Sequence, residues 1–195
     1  MGFDHFSFIA PIYARVTYSK KDLMREIASL PVRGRLLDVG GGTGRVASAI
    51  REYVDEVVLA DVSFGMLAQA PRSAPLIGSG RCLTPVCGAS ERLPFPDSSF
   101  ERVIMVDALH HVEHHSRTTA EMFRVLKPGG ILVIEEPDIR TFGVKLIAIA
   151  EKLLLMRSHF LAPDAIMKLF TVGEKSTKSV DGTVWVIVRK NLVSE

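Results

Sequence analysis

The chain has 195 residues and a formal net charge of only +2, a length that suits one domain with a sizeable core. With charges so nearly balanced and no block of one sign, the sequence argues against a dedicated nucleic-acid surface. Hydrophobic residues make up 47% of it, so buried strands or an apolar pocket are expected. The two cysteines, Cys82 and Cys87, match neither a zinc pair nor a CxxC redox motif, and reduced, packed thiols are the expectation. The opening Met1-Gly2-Phe3-Asp4-His5 has an early acid and no basic region leading into an apolar run, unlike a signal peptide. The longest apolar segment, Gly143 to Met156, is broken by Lys145, Glu151 and Lys152 and is too short to span a bilayer. The simple expectation is a soluble cytoplasmic protein with no transmembrane segment.

In chain order, an aromatic-rich amphipathic stretch from Phe3 to Val16 precedes a predicted helix over Lys21–Leu30. Ser19 is placed to cap that helix, with Asp22 as its acidic partner. Residues 1–32 read as an N-terminal helical cap, which either packs on the core or folds as a flap over a ligand. Next comes Arg35-Leu-Leu-Asp-Val-Gly-Gly-Gly-Thr-Gly-Arg45: an apolar run, a cluster of glycines, and a helix over Val46–Tyr53. This is the pattern of a buried strand, a tight turn and a helix start, where backbone approaches a ligand closely. A second strand is predicted over Glu56–Asp61, followed by a short helix capped by Ser63 and ended by Pro71. Residues 72–81 read as a loop. A third strand follows at Leu83–Cys87, a turn-rich connection at Leu93–Phe100, and a fourth strand at Arg102–Val106.

A helix after Val112 runs into Phe123-Arg-Val-Leu126, and Lys127-Pro-Gly-Gly130 reads as a hard stop. The fifth strand, Ile131–Glu135, is nearly all aliphatic, as a strand covered on both faces should be. Helices follow at Val144–Arg157, with a wide apolar arc, and from Pro163 to Phe170. The Asp181-Gly182 pair between two β-prone runs is a hairpin signal. The pattern is an α/β chain, doubly wound and Rossmann-like, with helices on both faces of a mostly parallel sheet closed by an antiparallel hairpin. No internal repeat or linker divides it, so residues 1–195 read as a single domain, with 139–170 as substrate-side helices.

Asp61 ends the second strand, where an acid can hold ribose hydroxyls of either of two cofactor classes. The glycines separate the classes. A dinucleotide fingerprint needs G-x-G-x-x-G, but the third position falls on Arg45 counting from Gly40, and on Ala47 counting from Gly42. Instead Gly40, Gly42 and Gly44 alternate as G-x-G-x-G, preceded by Asp38 inside the strand. A buried carboxylate there repels a diphosphate and suits an ammonium or sulfonium. An NAD-dependent oxidoreductase is disfavoured on both grounds.

Leu36-Leu-Asp-Val-Gly-Gly-Gly-Thr-Gly44 resembles the first motif of class I S-adenosylmethionine-dependent methyltransferases. Leu59–Leu67, Gly88–Phe100, Val106-Asp-Ala-Leu-His-His-Val112 and Phe123–Gly130 agree with that family in order and spacing. Together they resemble the small-molecule branch that includes the ubiquinone/menaquinone-biosynthesis C-methyltransferases, and Phe3-Asp4 with Ile9–Tyr13 looks like that branch's N-terminal motif. The resemblance covers nearly the whole chain and implies a seven-stranded sheet, S-adenosylmethionine as cofactor, and methyl transfer to a small, apolar or aromatic acceptor. A non-catalytic cofactor-binding sensor or partner protein is the alternative, and the oligomeric state is open between monomer and homodimer.

The same resemblance implies that Asp38 and the backbone at Gly40, Gly42 and Gly44 line the methionine end. It implies that Asp61 holds the ribose diol, that Val62 and Met66 pack on adenine, that Ala89 and Ser90 flank the adenine edge, and that Val106 and Asp107 approach the methionine portion. Ala89 is a departure, because the family commonly has Asp there; a hydrogen bond to the adenine amino group is lost unless Ser90 or a backbone carbonyl replaces it.

Methyl transfer mainly needs alignment and water exclusion, although an acceptor can also need a proton removed. His110 and His111, following the fourth strand, are candidate general bases; the pair can equally cap and pack the next helix. His114 and His115 extend the run, but no carboxylate beyond Glu113 has obvious ligand spacing, so no metal site is expected. Phe6, Tyr13 and His159 are the candidates for the acceptor side.

Overall fold

The computed structural model of the chain describes residues 18–70, 82–142, 144–145 and 158–192. Its elements in chain order are α1 (Lys21–Ile27), β1 (Arg35–Val39), α2 (Arg45–Ile50), β2 (Glu56–Asp61), α3 (Phe64–Ala68), β3 (Cys82–Cys87), β4 (Phe100–Val106), α4 (His115–Val125), β5 (Leu126–Pro137), α5 (Pro163–Lys168), β6 (Glu174–Val180) and β7 (Thr183–Arg189). Single 3₁₀ turns follow α2 at Arg51–Tyr53 and β4 at Leu109–His111.

The seven strands form one sheet in the order β3-β2-β1-β4-β5-β7-β6. β1 lies parallel to both β2 and β4, with Leu37 opposite Val58 on one side and Val103 on the other. β2–β3 and β4–β5 are also parallel, while β5–β7 and β6–β7 are antiparallel. The predicted hairpin sits where expected. Asp181 and Gly182 both have positive φ, 49° and 75°, as a two-residue turn matching the strand twist requires.

Alternate residues of the central strands feed two cores, one on each face. Leu36, Leu59, Ile104 and Val133 pack with Met24, Val46 and Ile50. Leu37, Val58, Val103 and Leu132 pack on the other face with Met122, Val125 and Phe170. That double burial explains why these strands read as continuous apolar runs. Their aliphatic ends converge on the glycine turn after β1, and the strand order reverses between β1 and β4, where open α/β sheets leave a crevice for ligands.

Several local expectations are corrected. Ser19 does not cap α1; Lys20 is the N-cap and makes no side-chain cap bond, and its ammonium instead reaches Glu135 and Thr183. The helix stops at Ile27 because Ser29 turns left-handed, φ 49°. Ser29 N–H then donates to the Glu26 carbonyl and Leu30 N–H to the Arg25 carbonyl, a Schellman closure with serine at the usual glycine position. Lys127–Gly130 does end α4, yet the chain continues directly as β5, with a register shift between Phe100 and Arg102. The packed-thiol expectation also fails, since β3 is an edge strand that leaves Cys82 half-buried and Cys87 exposed.

Ser63 does cap α3, accepting from the Met66 amide. Among the described residues no helix is long and apolar enough to cross a membrane, and no cluster could hold a metal ion. The expectations for residues 3–16, for the loop 72–81 and for most of the helix 144–157 lie outside the described residues.

Candidate active site

A cavity of about 570 Å³ opens over the C-terminal ends of β1, β2 and β4. Its floor is the glycine turn. Gly40, Gly42 and Gly44 have φ of 67°, 57° and 75°, a left-handed region that glycine enters without strain. Gly40 N–H and Gly41 N–H both donate to the Ala60 carbonyl, at 2.7 and 3.2 Å, which ties the turn to β2. A β-carbon at Gly42 would stand 3.0 Å from the Met66 methyl and 3.9 Å from Asp61, in the space a ligand backed by those residues would need.

Asp38 lies beneath the turn and is fully buried. Neither carboxylate oxygen has a hydrogen-bond partner among the described residues. Burial pushes its pKa up to about 7, although the nearby Ala47 amide and Arg45 favour the charged form. A buried carboxylate left in this state is costly unless a cation meets it.

Asp61 anchors the far wall. One oxygen accepts from Gly42 N–H and the other from Ser63 N–H, each at 2.8 Å. Those two bonds fix the orientation of the carboxylate at the cavity wall. Val62, 71% exposed, and Met66 flank it on the cavity wall. Ala89 and Ser90 line the same cavity, and Ser90 Oγ is shared with Thr118 Oγ1 at 3.1 Å and Glu91 at 3.2 Å. Val106 and Asp107 complete the wall from β4. Gly44 is not among the lining residues; it shapes the turn as the left-handed N-cap of α2.

The two histidines part company. His111 lines the cavity, and burial together with neighbouring His110 lowers its pKa to about 3, which keeps the imidazole neutral at physiological pH. His110 is buried outside the lining, its Nδ1 bonded to Glu136 and its ring stacked on Phe160 with centroids 4.3 Å apart. Glu136 also accepts from the Ala108 and Leu109 amides, at 3.1 and 2.7 Å, so it fixes the whole turn after β4. His159 joins through its backbone, donating to the His110 carbonyl at 2.7 Å, and its ring meets His115 edge-on at 6.4 Å. Phe6 and Tyr13 lie outside the described residues.

Sequence reasoning passed over three contributors. Gly41 is one, and a third consecutive glycine was its signal. Glu136 is another, marked only by two adjacent acids ending an aliphatic strand. Arg45, which bonds Asp107 across the cavity at 3.0 Å, had no signal beyond its place at the helix start.

Sheet order, crevice and glycine turn are those of a nucleotide-cofactor-binding α/β protein. A family model described as a methyltransferase domain matches residues 37–134; the chain belongs to this methyltransferase-domain family, of the class I S-adenosylmethionine-dependent kind. It is similar to a demethylmenaquinone methyltransferase of Renibacterium salmoninarum, 38% identical over 56% of this chain and 44% of the relative. It is also similar to the ubiquinone/menaquinone biosynthesis C-methyltransferase UbiE of Coxiella burnetii, 33% identical over 60% of this chain and 55% of the relative. The chain thus spans about half the length of these curated relatives. Among solved structures, an S-adenosylmethionine-dependent methyltransferase of Thermotoga maritima superposes with a TM-score of 0.75 at 22% identity, over 95% of this chain and 98% of that one. That likeness speaks to the fold. The cofactor of the family, S-adenosylmethionine, fits the residues present: an unpartnered buried carboxylate for a cation, and a glycine turn whose free side a β-carbon would fill.

Proposed function

We propose that this chain transfers the methyl group of S-adenosylmethionine to a small, apolar or aromatic acceptor, as one methyltransferase domain. The observation that carries the reading is the buried, unpartnered Asp38 carboxylate under a glycine turn that Asp61 holds from the opposite side. When bound, S-adenosylmethionine supplies an already activated methyl group on a good leaving sulfur. The protein's work is then alignment and exclusion of water. Asp38 offers charge to the cationic end and Asp61 offers oxygens to the ribose. Val62 and Met66 supply apolar contact for the adenine, beside Ala89 and Ser90. Val106 and Asp107 face the methionine portion.

Support for an apolar acceptor comes from Leu93, Met105 and Val112 on the cavity wall. The named activities of the relatives on quinone precursors agree with such an acceptor. A neutral His111 at the wall can accept a hydrogen bond from an acceptor hydroxyl, and Ser158 lies 3.4 Å from its Nδ1. Glu136 would hold the His110 ring, making His110 a positioning group, while Phe6, Tyr13 and His159 remain assigned to the acceptor side.

The test is transfer of labelled methyl from S-adenosylmethionine to a panel of phenols, naphthols and hydroquinones. Label in product, lost in Asp61→Ala, is expected. Cofactor binding with no transfer to any acceptor would favour a non-catalytic binding protein instead.

A further inference from the structure

We propose that the cavity sorts acceptors by charge: Glu91 and Glu113 at its mouth admit an uncharged or cationic acceptor and turn away one that carries a carboxylate, phosphate or other anionic group. The inference rests on the methyl-transfer reading above and adds the acceptor's charge to its apolar or aromatic character.

Glu91 stands on the segment that follows β3, and Glu113 on the segment between the 3₁₀ turn after β4 and the start of α4; both line the cavity. Glu91 is fixed in place. One of its oxygens accepts from Ser90 Oγ at 3.2 Å and the other from the His114 amide at 3.4 Å, so its carboxylate ties the two segments together beside the opening. Both donors are neutral groups, and the bonds hold the carboxylate without cancelling its charge. Glu113 is exposed one residue before His114, which sets a second carboxylate on the same rim.

The wall supplies no arginine or lysine to offset them. Its acids are Asp38, Asp61, Glu91, Asp107 and Glu113; the one lysine or arginine among the described lining residues is Arg45, already engaged by Asp107 at 3.0 Å. Burial and neighbouring His110 keep His111 neutral, with its pKa lowered to about 3. Burial also lowers His115, although Glu91 and Glu136 favour its charged form. Deeper in the same cavity Asp38 is fully buried, with neither oxygen hydrogen-bonded among the described residues, an independent sign of a site built for ligands without negative charge. S-adenosylmethionine, a net cation, can answer that carboxylate, and the acids at the mouth then face whatever enters next. Leu93, Met105 and Val112 give the cavity a low-dielectric wall, which strengthens the field of one-signed charge in a cleft. Bringing like charges together across such a surface suppresses the wrong partner. An uncharged aromatic ring meets no such barrier.

Calorimetry on the full chain saturated with S-adenosylhomocysteine tests this with three probes of closely matched shape: 2-naphthylmethanol, 2-naphthylmethylamine and 2-naphthoate. The alcohol and the amine are expected to bind, and the naphthoate to bind about tenfold or more weakly than the alcohol. The gap should shrink at high salt, as screening of charge requires. The double variant Glu91→Gln, Glu113→Gln keeps the hydrogen-bond acceptors and removes both charges; it should narrow the gap to about threefold or less. The readout is a ratio between probes, which a general loosening of the fold would not move. Naphthoate binding to wild type as well as the alcohol does, or a gap that survives the double variant, overturns the filter. If S-adenosylhomocysteine binds and no probe does, the apolar-acceptor reading falls and the filter with it. If S-adenosylhomocysteine itself fails to bind, the cofactor reading falls first and takes the filter with it.

Discussion

Gly41 stands directly over Asp38: a β-carbon there would lie 2.7 Å from the Asp38 Cγ and 2.8 Å from Oδ2, and closer still to Leu59. The missing side chain at Gly41 is what lets this turn sit directly on the carboxylate. Gly41→Ala should displace the turn, costing about 1–3 kcal/mol of stability and weakening cofactor binding about tenfold or more. Thermal unfolding and calorimetry on the same preparation check both parts. An alanine variant with wild-type affinity would show that the turn can lift without consequence.

Asp38 makes binding depend on pH. Its folded-state pKa is raised by burial to about 7, so near neutrality the cofactor-free protein holds roughly half a proton there. A cationic ligand selects the ionised form. Affinity should thus fall as pH drops below 7, approaching about tenfold per unit, with a proton released on binding. The stability of the free protein shows the matching sign. The raised pKa makes this group's contribution full below about pH 4 and lost as pH rises toward 7. Asp38→Asn should flatten the binding slope; an unchanged slope would move the titration elsewhere.

Ala89 tests the adenine edge. Aspartate at that position would give the adenine amino group an acceptor worth about 0.5–1.5 kcal/mol, roughly two- to tenfold in affinity. Ala89→Asp should tighten binding of S-adenosylhomocysteine in a titration, and a weaker variant would contradict the placement of adenine there.

Glu136 is buried with three donors on it: two amides and the His110 ring. Glu136→Leu strands all three and should cost about 3 kcal/mol or more in denaturant unfolding, whereas Glu136→Gln should cost less. Equal, small losses in both would mean that the turn after β4 is held by packing alone.

Much of this architecture was legible because its signals are local. The limits of β2, the Asp181-Gly182 turn and the Ser63 cap each follow from a few adjacent residues, and the G-x-G-x-G spacing with Asp38 and Asp61 located the cavity. What escaped was set by distant partners. Glu135 and Glu136 read only as two acids closing an aliphatic strand, yet each is buried against residues far along the chain: Tyr18 and Lys20 in one case, His110 in the other. Ser19 satisfies a capping pattern, but Lys20 is drawn to Glu135 and the helix begins one residue later than that pattern needs. Arg45 was passed over for the same reason, since its meaning lies in Asp107, sixty-two positions away.

The most direct test of the central claim is calorimetric titration of S-adenosylhomocysteine into the wild-type chain and into Asp61→Ala. Saturable one-to-one binding is expected for wild type. The variant, which loses the tie to Gly42 and the carboxylate proposed to hold the ribose, should bind at least about tenfold more weakly. No heat with wild type, or equal affinity in the variant, would contradict a cofactor seated between the glycine turn and Asp61.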